Sequence, residues 1–154
     1  MTGWIEASVT LRGFSANPQE IVEFLGGPLC EVVRAGQRIN DVSEAKYREN
    51  AIWSGLETDD PCKARDLIAQ ILHRWGGVDR VEQAVKIYSI GFSDFDVAIY
   101  DQDVVNSDLR AIFLDELIVR DIARLNGSIG ISSHPITAKR CRLPKYDNVD
   151  EDPA

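Results

Sequence analysis

The chain of 154 residues contains one methionine, two histidines and three cysteines, and these scarcities remove several kinds of chemistry at once. His73 and His134 fall in different segments, with no partner at metal-ligand spacing. Neither a zinc site nor an organised histidine base is therefore written into the sequence, and each histidine reads as an ordinary surface or edge residue. Cys30, Cys62 and Cys141 are odd in number and form no Cys-x-x-Cys pair, which suits reduced thiols better than a disulfide framework. A Gly-x-Ser-x-Gly elbow, a phosphate loop and a dinucleotide fingerprint are all missing, and the glycine pairs 26–27 and 76–77 follow apolar helical patterns instead of preceding them. No cofactor, metal or catalytic residue is expected.

Long apolar runs are missing too. Nothing approaches the ~18 consecutive apolar residues of a membrane span, and Met1-Thr2-Gly3-Trp4-Ile5-Glu6 has no basic segment leading into an apolar one. The expectation is a cytoplasmic protein without a membrane partner. Basic charge is scarce: 17 Lys+Arg stand against 25 Asp+Glu, a formal net charge of −8, so a nucleic-acid partner is not expected either. What is present is ordinary globular material, 44% hydrophobic and 27% charged, enough for one domain to bury a core. Residues 139–154 carry Lys139, Arg140, Arg142 and Lys145 against Asp147, Asp150, Glu151 and Asp152. This segment is neutral and aperiodic, and reads as a flexible tail. The whole charge excess lies in residues 1–138, where 21 acids face 13 bases, and that stretch reads as a single α+β domain.

Ile5, Ala7, Val9 and Leu11 alternate with Glu6, Ser8, Thr10 and Arg12, the period of a strand with one buried face. Asn17-Pro18-Gln19-Glu20 supplies a cap, a proline at the first helical position and an acid for a capping box, so a short helix starts at Pro18 and stops at Gly26-Gly27. Cys30–Ile39 and Asn50–Thr58 read as strands joined by a loose polar connection. Asp60-Pro61 repeats the cap-and-proline start for a helix carrying Leu67, Ile68, Ile71, Leu72 and Trp75, and Val78 to Tyr88 suggests another. Phe95, Val97 and Ile99 alternate with Asp94, Asp96 and Ala98, a strand with one apolar and one acidic face. A helix from Asp115, a stop at Gly127 and a strand through Ile129 and Ile131 complete the pattern. The expected architecture is a mainly antiparallel sheet with helices on one face, loosely ferredoxin-like. Segments 5–39 and 94–133 share a strand–helix–strand order, which leaves duplication and coincidence both open. Trp53 and Trp75 are expected in the core, the Trp75 indole N–H with a local acceptor.

The most distinctive chemical feature is the run Asp94, Asp96, Asp101, Asp103 and Asp108, uninterrupted by Lys or Arg. Its spacing fails as a calcium loop, because Val105 and Asn106 stand where a ligand and a glycine are needed. Two readings remain: a merely solvated acidic face, or a surface that attracts a basic protein and speeds its association. Glu57, Asp59 and Asp60 join that surface if their strand end lies nearby. Arg34 and Arg38 flank Gly36 and are the candidates for the alternative, a small enzyme or ligand binder that grips an anion in a pocket between sheet and helices.

Several of these segments together resemble a known pattern. Ala7-Ser8-Val9-Thr10-Leu11, Asn17-Pro18-Gln19-Glu20-Ile21, Leu25-Gly26, Arg34-Ala35-Gly36-Gln37 and Trp53-Ser54 resemble the bacterial domain-of-unknown-function 4279 family. So do the helix at 67–72, the strand at 95–100, and Leu114-Asp115-Glu116-Leu117 leading to Ile122-Ala123-Arg124-Leu125-Asn126-Gly127. The resemblance spans residues 5–134, and its motifs are structural. The closing strand, Ile129 to His134, departs from the family's acidic, Tyr-ending form. The family brings no activity with it, but small acidic bacterial domains of this kind look like immunity proteins. The implied role is non-catalytic: binding a cognate, basic protein toxin, such as a nuclease, through the acidic surface.

Overall fold

A computed structural model describes residues 3–60, 63–101, 114–135 and 149–150. Along these the elements run β1 (Gly3–Phe14), α1 (Pro18–Phe24), β2 (Glu31–Val33), β3 (Lys46–Tyr47), β4 (Asn50–Thr58), α2 (Ala64–Arg74), α3 (Val78–Ile87), β5 (Phe92–Asp101), α4 (Glu116–Arg124), β6 (Gly127–Pro135) and β7 (Val149–Asp150). Five strands form one sheet in the order β2-β4-β1-β5-β6. The first three pairings are antiparallel and the β5–β6 pairing is parallel. The protein therefore has the expected α+β fold.

The topology also resolves the apparent repeat. From β1 to β5 the order β2-β4-β1-β5 and its pairing directions are those of one ferredoxin-like β-α-β-β-α-β unit, with α2 and α3 together filling the second crossover. The pair α4–β6 is an addition that extends the sheet beyond β5. In the first strand–helix–strand segment β4 lies between β1 and β2, whereas in the second β5 and β6 are direct neighbours. The two segments occupy non-equivalent places in the sheet.

Alternation builds the core. Ile5, Ala7, Val9 and Leu11 of β1, Ile52 of β4, and Phe95, Val97 and Ile99 of β5 join Ile21 of α1, Ile68 and Ile71 of α2, Val81 of α3 and Ile122 of α4 in a single buried cluster. Full burial of each such side chain is worth about 1.5–3 kcal/mol relative to exposure. Trp75 belongs to this cluster, but its indole N–H is buried without the acceptor expected for it. Trp53 does not belong. It pairs with Thr10 and Glu31 and so shares the parity of the outward residues of β1, where its ring folds over Gly55.

Local signals set most helix ends. Asn17 accepts the Gln19 N–H at 3.1 Å, and Asp115 accepts the Ile118 N–H at 3.0 Å. After α1, Gly27 N–H bonds to Val22 C=O and Gly26 N–H to Glu23 C=O; after α2, Gly77 and Gly76 repeat the arrangement on Leu72 and His73. This ending needs a left-handed residue just past the helix, and Gly26 (φ +94) and Gly76 (φ +88) supply it. The start of α2 departs from expectation: it begins at Ala64 with no side-chain cap, Asp60 only accepting the Lys63 N–H through its carbonyl. Strand β2 covers only three residues of the expected Cys30–Ile39 because Gly36 and Gln37 turn the chain back, Gly36 N–H to Tyr47 C=O and Tyr47 N–H to Gln37 C=O. The segment expected to be a loose connection thus contains β3. Part of the expected tail is also tied in, β7 pairing with β3.

Strand β6 begins hard against the core. A Cβ at Gly127 would lie 2.6 Å from Phe95 Cε2 and 3.0 Å from Ile122 Cγ2, both on buried side chains, whereas one at Gly130 would meet only the outer end of Asp96 at 2.8 Å. In urea unfolding, Gly127→Ala is expected to destabilise by about 1–3 kcal/mol through overpacking. Gly130→Ala should cost markedly less, because the Asp96 carboxylate can turn away. Equal costs at the two positions would contradict this packing.

Candidate partner-binding face

The even-numbered residues of β1 define the face of the sheet opposite the core. Register places Glu6 between Glu57 of β4 and Ala98 of β5, Ser8 between Gly55 and Asp96, and Thr10 between Trp53 and Asp94. Strand β6 continues these rows with Ser132 beside Ala98, Gly130 beside Asp96 and Ser128 beside Asp94. None of the described helices contributes to this face. Glu6 and Glu57 lie directly opposite each other, a like-charge pairing that by itself disfavours a sheet.

At the end of the sheet where β1 begins, three rings stand in a row across three strands. Trp4 stacks on Tyr100 with centroids 4.8 Å apart and planes 12° apart, and Tyr100 stacks on His134 at 5.1 Å and 24°. The row follows from register, Trp4 pairing with Tyr100 and Tyr100 with His134. Trp4 Nε1 donates to Glu6 Oε1 at 3.0 Å, and the Ser132 hydroxyl lies 2.8 Å from His134 Nε2. Rings stacked in this way hold one another rigid and bring about 0.5–1.5 kcal/mol per pair beyond their burial. Trp4, Glu6, Glu57, Asp96 and Tyr100 each make a further interaction as well.

The opposite end of the face is held by an ion-pair cluster of its own. Arg12 donates through Nε to Asp94 and through Nη1 to Glu49 Oε1 at 2.7 Å, its guanidinium 4.2 Å from the centre of the Phe92 ring. The Ser128 hydroxyl donates to the other Asp94 oxygen at 3.1 Å. Burial opposes the charge on Arg12, yet the hydrogen bonds it donates to Asp94 and Glu49, with their charges, outweigh it and raise its pKa. Asp94 is thus a structural partner of Arg12.

The other acids of the expected surface separate. Asp96 is exposed on this face, and Glu57 and Asp59 are exposed near the end of β4. The pairings Ile5 with Thr58 and Gly3 with Asp101 bring the ends of β4 and β5 to the same edge of the molecule, which does place Glu57, Asp59 and Asp60 near the start of β1. Asp60 is half-buried, its backbone N–H bonded to Thr58 Oγ1 at 3.1 Å. Asp101 does not belong to the surface: it shares parity with Phe95, Val97 and Ile99 and is 4% exposed. Asp103 and Asp108 lie outside the described residues.

Arg34 and Arg38 are engaged locally and with different acceptors. Arg34 Nη1 donates to Asn17 Oδ1 at 2.8 Å, the same oxygen that caps α1. Arg38 bonds to Ser43 C=O at 3.1–3.2 Å and forms an ion pair with Glu44 at 3.7 Å, fastening the turn that leads to β3. Their placement gives no shared anion site. Among the described residues no three His, Cys, Asp or Glu side chains are grouped to hold a metal ion, and no described helix is long and apolar enough to cross a membrane.

The ring stack was not anticipated. A signal existed, since Trp4 shares parity with the polar residues of β1 and Tyr100 with Asp94 and Asp96. Only the strand register could show that His134, far along the chain, completes the row. Comparison with protein families, with curated proteins and with solved structures finds no match.

The Arg12–Asp94 pair offers a direct check on the face. A double-mutant cycle of Arg12→Met and Asp94→Asn, read by urea unfolding, should return a coupling of about 1 kcal/mol that shrinks in high salt. Strictly additive losses would show the pair to be idle.

Proposed function

We propose that this protein is a non-catalytic binding protein that engages a basic protein partner through the face of its sheet opposite the core. The observation that carries the reading is Glu6 lying directly opposite Glu57, with Asp96 one row away, beside the Trp4–Tyr100–His134 stack. Two carboxylates set side by side offer a lysine or arginine of a partner two acceptors at once. Stacked aromatics next to acids suit the same side chains, which lay their methylene stems on rings and their cations on carboxylates.

Within this class, analogy with the small acidic immunity proteins of bacterial toxin systems favours neutralisation of a protein toxin. A nuclease is an apt target, because a surface evolved to hold nucleic acid is basic. The acidic face would then compete with phosphates for the same cations. The work asked of the inhibitor is charge and shape, supplied by a rigid sheet.

The test uses the product of the adjacent reading frame, expressed as a possible toxin with and without this protein. The wild type should restore growth and bind with an association rate that falls steeply with salt. Glu57→Lys combined with Asp96→Lys should slow association by about tenfold or more, with far-UV circular dichroism unchanged. Undiminished binding and protection by that variant would remove this face from the interface.

A further inference from the structure

Strand β6 closes one side of the sheet, and its composition is unusual for an edge. Its nine residues, Gly127–Pro135, contain no Lys, Arg, Asp or Glu in a chain of net charge −8. Its register with β5 runs from Ser93–Gly127 to Asp101–Pro135 without a bulge. Exposed edges are ordinarily blunted by a charge, a bulge, an internal proline or a short length, because unpaired N–H and C=O groups recruit another strand. β6 has none of these devices before its terminal Pro135. Residues 128–133 are all exposed, and among the described residues nothing pairs with the outer side of the strand. Ile129 and Ile131 point to the helix side of the sheet yet remain 38% and 54% exposed, and α4, which leads into β6, exposes Leu117 at 66% and Val119 at 53%. These four make up half of the large apolar side chains left exposed among the described residues.

We infer that β6 is a homodimer interface, in which two copies pair their β6 strands antiparallel about a two-fold axis through Ile131. The occupant follows from self-complementarity. With Ile131 on the axis, Gly130 faces Ser132, Ile129 faces Ser133 and Ser128 faces His134 of the second copy, so no charges meet and each large residue except Ile131 faces a small one. An uncharged edge has nothing with which to select a charged peptide, whereas it lets two acidic molecules approach where neither carries charge. The axis stands perpendicular to the sheet, so Ile131 meets Ile131 on the helix side while both acidic faces look the same way. The assembly stops at two copies, because the other edge of the sheet is the three-residue β2, which begins with the charged Glu31. The result is a continuous ten-stranded sheet that presents two copies of the proposed binding face side by side. This inference stands independently of what that face binds.

Sedimentation velocity of the full chain over a range of concentrations tests it. The wild type should shift from 17.2 kDa toward twice that mass as concentration rises, and Ile131→Lys, which sets two like charges together on the axis, should stay monomeric with unchanged far-UV circular dichroism. Ile131→Cys in a background with the three native cysteines replaced by serine should form a disulfide-linked dimer under mild oxidation, since opposed strand residues lie within disulfide reach. Ser128→Cys in that background should not, its opposite number being His134. A wild type that stays monomeric throughout, a dimer indifferent to Ile131→Lys, growth beyond two copies, or equal crosslinking at both positions would each overturn the inference.

Discussion

Strand β1 is paired along both edges, with β4 on one side and β5 on the other, and this double antiparallel pairing is the constraint on which the rest of the molecule depends. Because strand side chains alternate, one register assigns every residue of three strands to a face. Ile5, Ala7, Val9 and Leu11 are essentially inaccessible to solvent and share one buried cluster with residues of all four described helices. The same register obliges Trp4, Glu6, Ser8, Thr10 and Arg12 to face the other way. A slip by one residue would bury Glu6 and Arg12 and expose the core, so the proposed binding face is as firmly determined as the core itself.

That face divides into unlike regions. Around Arg12, charge is satisfied within the protein by Asp94 and Glu49, with Ser128 and Phe92 closing the group. This part holds β1, β5 and the start of β6 together. Toward the beginning of β1, Glu6 is set against Glu57 beside the aromatic row, and this is the part of the face proposed to receive a partner's cations. Rigidity matters for recognition, because side chains already fixed lose less entropy on binding. Strand β6 contributes to both regions and at the same time leaves its own edge unpaired among the described residues.

Much of this was legible in the sequence wherever a local signal decides the structure. The alternation of β1 and β5, the Asn17-Pro18 start of α1, the paired-glycine stops and the start of a helix near Asp115 each depend on a few neighbouring residues, and each is found where the pattern put it. Less legible were features that depend on which strands become neighbours. Trp53 reads as core by its apolar surroundings, yet its register with Thr10 turns it outward over Gly55. Asp101 reads as one more member of an acidic run, but its parity is that of Phe95 and it is buried. The convergence of Trp4, Tyr100 and His134 brings together the neighbouring strands β1, β5 and β6 from distant parts of the chain, and no short window of sequence contains it. Arg34 and Arg38 illustrate the opposite case: two conspicuous cations that turn out to be occupied with a helix cap and a turn.

The central claim is that recognition takes place on the sheet face opposite the core and leaves the described helices untouched. Amide chemical-shift mapping of isotopically labelled protein, titrated with the product of the adjacent reading frame, addresses it residue by residue. Perturbations should concentrate at Trp4, Glu6, Ser8, Glu57, Asp96 and Ser132, with the exposed residues of α2 and α3, among them His73, Arg74 and Gln83, unmoved. Perturbations centred on α2 and α3, with the rows around Glu6 and Asp96 silent, would contradict the account.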